Sequence, residues 1–128
     1  MNRTTNTIAL TGLALSLWSG PAAAQSFSAS FRWCPQASPA FSLRGVPKGT
    51  AKINLTMMDL DVPSFQHGGG DVAYAGQNSI PCGALSKATY SGPNPPSGSH
   101  TYRWTIKALN AGGGVLGQTT AQRKFPEK

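Results

Sequence analysis

Ten residues, His100 to Leu109, read His-Thr-Tyr-Arg-Trp-Thr-Ile-Lys-Ala-Leu, and that spelling leaves the backbone little choice. His100, Tyr102, Trp104, Ile106 and Ala108 fall on one side of an extended chain; Thr101, Arg103, Thr105, Lys107 and Leu109 fall on the other. A two-residue period builds a half-buried strand and would scatter the same apolar groups around a helix. The pattern recurs. Residues 26–33 place Phe27, Ala29, Phe31 and Trp33 opposite Ser26, Ser28, Ser30 and Arg32, and residues 51–59 place Ile53, Leu55 and Met57 opposite Lys52, Asn54 and Thr56. Asp59 inherits the inward side. Turn chemistry separates these runs: Cys34-Pro35, the segment Gly45-Val46-Pro47-Lys48-Gly49, the proline- and glycine-rich stretch 90–99, and Asn110-Ala111-Gly112-Gly113-Gly114. A short strand is expected within 71–76 and a last one from Val115 to Phe125, with only a brief segment at 41–45. No stretch keeps a helical period, so the fold class is all-β, an antiparallel β-sandwich with little helix.

The first 24 residues stand outside this pattern. Arg3 precedes an apolar run from Ile8 to Trp18, which ends at Ser19-Gly20-Pro21-Ala22-Ala23-Ala24, the arrangement of a secretory signal peptide cut after Ala24. The run is too short to span a bilayer, and no later one exists, so no transmembrane segment is expected. Residues 25–128 then form one domain in a periplasmic or secreted setting. There Cys34 and Cys82, the only cysteines, can persist as a disulfide; neither has a partner at zinc-ligand spacing. Without Arg3 the chain keeps ten Lys and Arg against four acids, a formal balance of +6. Such a balance favours anionic partners on encounter. The basic residues are scattered rather than clustered, so no nucleic-acid partner is expected.

Chemistry concentrates in Met57 to Gly70, "MMDLDVPSFQHGGG". An esterase-type oxyanion loop would require a Gly-x-Ser-x-Gly nucleophile and an alternating βα chain, and neither is present. A phosphate loop would require Gly-Lys-Ser or Gly-Lys-Thr after the glycines. Asp59, Asp61, His67 and His100 are metal-ligand types, but no His-x-His or His-x-x-x-His pair supplies a second anchor, so no metal is expected. Side-chain parity supports a polar pocket at the strand ends. Asp59 closes one inward row, while His100 and Tyr102 open another. Imidazole N–H, phenol O–H and the amides of Gly68 to Gly70 could donate to an anion, with the carboxylates orienting the histidines. A plainer alternative has Asp59 and Asp61 forming a turn and His100 packing as a core residue.

The segments "DLDVP" (Asp59–Pro63) with His67 downstream, and "GPNPPSGSHTYRW" (Gly92–Trp104), occur in that order and resemble the two signature segments of the phosphatidylethanolamine-binding protein family, whose bacterial members are often labelled Raf-kinase-inhibitor-like. The resemblance implies a β-sandwich with a small anion pocket for phosphate-like or phospholipid head groups, lined by Asp59, Asp61, Pro63, His67, Pro93, Pro96, His100 and Tyr102. It implies binding without catalysis and without a cofactor. A secreted interaction or inhibitor module, acting on a protein partner through the loop 91–99, is the alternative. Gly68-Gly69-Gly70 replace the family's usual apolar strand after the histidine, which predicts a reshaped pocket wall.

Overall fold

A computed structural model of the chain describes residues 12, 14–16 and 26–128. The leader expected at 1–24 therefore lies, apart from four residues, outside the described residues. Seven strands follow: β1 (Ser28–Cys34), β2 (Ala37–Arg44), β3 (Lys52–Asp59), β4 (Gly69–Ala73), β5 (Ser79–Ile80), β6 (His100–Leu109) and β7 (Val115–Phe125). They make two antiparallel sheets, ordered β1-β2-β5 and β4-β3-β6-β7. The all-β expectation holds. No helix among the described residues is long and apolar enough to cross a membrane.

The alternating rows meet where parity put them. Ile53, Leu55, Trp104, Ile106 and Ala108 have no measurable exposure, and Phe31, Phe41 and Leu43 face them from the other sheet. Trp104 is the hub. Its ring lies 5.1 Å from Phe41 at 86°, and Phe31 approaches at 6.5 Å and 71°, edge-to-face contacts across the sandwich. Ala121 on β7 pairs with Trp104, so a small residue sits beside the large ring.

Three strands differ from the sequence reading. β2 begins at Ala37 rather than near Phe41, carrying Ser38 and Pro39 into the interior. A proline argues against a strand because it cannot donate to the ladder. Here the register against β1 shifts between Arg32 and Cys34, and β5 reaches only Phe41 and Ser42, so the missing N–H falls at an irregularity. β5 is two residues long, too short for periodicity to reveal. β4 starts at Gly69 instead of Asp71, for a reason that lies in the glycines themselves.

Gly68 has φ +73°, and an added Cβ would collide with the Thr89 carbonyl. At Gly69 an added Cβ would collide with the Leu55 carbonyl. The bare backbones let β4 lie close against β3, where Gly69 pairs with Thr56 and Gly70 with Leu55, while Gly69 N–H donates to Thr89 O at 2.9 Å. Glycine is required here for close approach and for left-handed backbone. Replacement of Gly68 by alanine is expected to cost at least about 2 kcal/mol, a strained φ plus a backbone clash. Chemical denaturation checks the loss, and an NMR shift of the neighbouring His67 ring checks its structural origin.

Candidate functional site

β3 and β6 are paired so that Asp59 stands opposite Tyr102. The last inward residue of one strand and the first inward residues of the other thus converge at one end of the sandwich. Asp59 is buried, at 4% exposure, and both its oxygens are engaged. Oδ2 lies 2.6 Å from His100 Nδ1, and Oδ1 accepts the backbone N–H groups of Asp61 at 2.9 Å and Val62 at 3.2 Å. One side chain therefore does two things: Asp59 closes the turn that ends β3 and orients an imidazole.

Burial would raise the Asp59 pKa, but the His100 hydrogen bond, the two backbone N–H donors and the charge interaction with His100 outweigh it, leaving the carboxyl below its ordinary value. Tyr102 is almost fully covered. Its pKa is raised by burial first and then by the Asp59 charge, against an Asn94 backbone hydrogen bond that pulls the other way. It remains a neutral phenol at physiological pH.

Asp61 lies beyond the strand and is exposed, yet its Oδ2 accepts the Thr101 N–H at 2.8 Å, tying the β3 exit to the β6 entry. Leu60 N–H to Thr101 O, also 2.8 Å, completes that link. His67 is buried, with Nδ1 2.8 Å from Ser91 O. A carbonyl only accepts, so Nδ1 carries the proton. The His67 ring meets Tyr102 edge-on at 5.4 Å and lies 4.5 Å from the exposed Phe65. His100 stacks near Tyr102 at 6.3 Å.

Asp59, Asp61, His67, His100 and Tyr102 thus come together. Pro63 and Pro96 sit on exposed loops, and Pro93 is half-buried. Of the glycine amides expected to face an anion, that of Gly69 is committed to Thr89 O instead. Ligand atoms of Asp59, Asp61 and His100 lie within 4.8 Å of one another, a spacing a cation could use. Those same atoms are largely spent on one another and on backbone donors, so a cation would have to displace existing hydrogen bonds.

Sequence reasoning missed a concavity elsewhere. A cleft of about 1020 Å³ opens between the β1–β2 turn and residues 83–93. Trp33 and Phe125 reach it from the ends of expected strands, but the rest of its wall comes from segments without regular structure and from a strand start that a proline disguises, so the pattern did not point to it. Of the eight residues nominated from sequence, Pro93 alone lines it. At its rim is the Cys34–Cys82 disulfide, formed as expected.

The chain matches no protein-family model and none of the curated proteins. Among solved structures it is similar to E. coli YbcL, described as a new member of the mammalian PEBP family, at 17% identity over 69% of this chain and 77% of that one, with a TM-score of 0.48. It is also similar to CT736 from Chlamydia trachomatis, described as a phosphatidylethanolamine-binding protein homologue, at 20% identity over 80% of this chain and 91% of that one, with a TM-score of 0.51.

Proposed function

On the sandwich fold that the chain shares with the Chlamydia phosphatidylethanolamine-binding protein homologue, we propose that the Asp59–His67–His100–Tyr102 cluster binds a small anion of the phosphate class, as a free ion or as a phospholipid head group. The observation that carries this reading is the way both histidines are held. Each is fixed through Nδ1, His100 by Asp59 and His67 by the Ser91 carbonyl, and neither Nε2 has a protein hydrogen-bond partner among the described residues. Two oriented imidazoles with free outer nitrogens, beside a buried phenol, form a site that can donate to an anion when each ring carries both protons. The Asp59 carboxylate keeps His100 from turning.

An anion at Nε2 requires a proton there, since a phosphate oxygen accepts. The site holds its ligand without turning it over and uses no cofactor. The signal-peptide pattern and the disulfide support a periplasmic or secreted location. The resemblance of "DLDVP" and "GPNPPSGSHTYRW" to the family segments supports membership of that family.

The test is a titration of the oxidised protein with inorganic phosphate and then phosphoethanolamine, observed at the histidine rings and by calorimetry. Saturable shifts at His67 and His100 are expected. His100→Ala should weaken binding at least about tenfold, the equivalent of one charged hydrogen bond, and Tyr102→Phe should weaken it less, with both variants folded. Unchanged affinity in both variants would sink the assignment. The largely exposed loop 91–99 favours a second reading as a protein-binding surface; in that case shortening the loop abolishes partner capture and leaves the phosphate titration intact.

A further inference from the structure

We propose that the cleft between the β1–β2 turn and residues 83–93 is a second ligand site, separate from the histidine cluster, which takes a flat hydrophobic molecule bearing one acidic group. Its volume of about 1020 Å³ is at the upper end of what small-molecule sites occupy. Aromatic and apolar side chains supply much of the wall: Trp33 and Phe125, packed edge to face at 5.4 Å, with Pro35, Pro93 and the buried Leu85 and Tyr90. None of Asp59, Asp61, His67, His100 or Tyr102 takes part.

Two polar features give the site its chemistry. Lys87 is the one charged residue of the lining. It is exposed, and the ion pairs among the described residues occupy other basic groups. The Arg32 guanidinium adds positive charge at the same rim, 3.8 and 3.7 Å from the two disulfide sulfurs. The second feature is Tyr90, only 7% exposed, whose hydroxyl has no hydrogen-bond partner. A buried donor without an acceptor is costly, and such groups in native proteins are few. The hydroxyl is 3.9 Å from where a Cβ of Gly92, another lining residue, would stand, so no side chain covers it from that position and a small shift of the loop backbone exposes it to an acceptor on the ligand. Burial, aided by Tyr102, pushes the Tyr90 pKa up to about 12, and the group stays a donor.

The walls are also fixed in advance. Gly83 N–H bonds to Ser38 O at 2.9 Å, Leu85 N–H to Ser38 Oγ at 3.0 Å, and the Trp33 indole to Lys124 O at 2.8 Å, while the disulfide ties the turn to residue 82. A cleft that need not be ordered on binding keeps more of its contact energy as affinity.

Naphthalene sulfonate is a suitable probe, with neutral naphthalene sulfonamide as its control, titrated into the oxidised protein and followed by NMR. Expected are saturable one-to-one shifts at the Trp33 indole N–H and the Lys87 to Ser91 amides. Lys87→Glu should weaken the sulfonate about fivefold or more, the effect of one exposed ion pair lost, and leave the sulfonamide unaffected. Tyr90→Phe should weaken the sulfonate with an unchanged or raised melting temperature, because it deletes a hydroxyl that has no partner in the free protein. Absence of saturable shifts, or equal sulfonate affinity in the wild type and both variants, would overturn the proposal. Competition by inorganic phosphate with shifts at His67 and His100 would also overturn it, by moving the probe to the histidine cluster; that outcome would leave the phosphate reading standing.

Discussion

Replacement of Asp59 by alanine is expected to abolish phosphate binding and to lower stability by about 3 kcal/mol at neutral pH. The stability loss follows from what the carboxylate satisfies. Two backbone N–H groups and one imidazole would lose their acceptor in a nearly buried setting, and each donor left unsatisfied costs about 1–3 kcal/mol, partly relieved by water. The loss of binding follows because His100 would be free to turn. The pH dependence is set by the depressed folded-state pKa. An unfolded Asp59 titrates near the ordinary value of 3.8, and the folded one titrates lower. Above 3.8 the carboxylate contributes fully; as pH falls through the folded value, that contribution is lost. Urea denaturation of wild type and Asp59→Ala should therefore show a wide gap at pH 7 and a narrowing one below pH 3.8. A gap that is small at pH 7 would show that water replaces the carboxylate, and that the Asp59–His100 pair is not what organises the site.

Removal of the disulfide is expected to have a larger effect still. Cys34 and Cys82 are 48 residues apart, and closing a loop of that length is worth about 4 kcal/mol in the chain-entropy account. A domain of this size has about 5–15 kcal/mol in total, so the Cys34→Ala/Cys82→Ala double variant should lose a large fraction of it. The loss should be read from denaturation of that variant against the oxidised protein. A competing anchor exists, since Gly83 and Leu85 already bond to Ser38. If the double variant loses less than about 1 kcal/mol, a fraction of the entropy term, those backbone bonds hold residues 82–89 on their own and the bridge is redundant for folding. Loss of naphthalene sulfonate shifts in that variant, with phosphate shifts retained, would place the bridge's role at the cleft.

The legibility of this architecture varied with the kind of signal each element carries. β1, β3 and β6 announced themselves through two-residue alternation, β7 followed from the turn before it, and the same parity placed Asp59, His100 and Tyr102 on the inward side. Pairing of Asp59 with Tyr102 across β3 and β6 is what turned that parity into proximity. Other features depend on tertiary detail. Pro39 hid the start of β2, because tolerance of a missing N–H depends on a register shift that sequence does not spell out. The three glycines suggested anion-binding amides, whereas at Gly68 and Gly69 the need is steric: the Thr89 and Leu55 carbonyls leave no room for a Cβ. His67 was nominated by type and resemblance, but its fixing by Ser91 joins residues 24 positions apart in a stretch without alternation. The cleft was not legible because it forms only where strand ends and irregular segments distant along the chain come together.

β6 runs between β3 and β7 as one continuous strand whose first residues belong to the histidine cluster and whose later ones form the centre of the core. His100 and Tyr102 are separated from Trp104 by no hinge, loop or glycine. A segment of this kind belongs to the most slowly opening cooperative unit of a domain, where amide protons exchange only when everything else does. The cluster is thus part of the last structure to melt, unlike side chains carried on mobile loops that fray while the scaffold stays folded, and the environment of its two imidazoles serves as a gauge of whether the whole sandwich is intact.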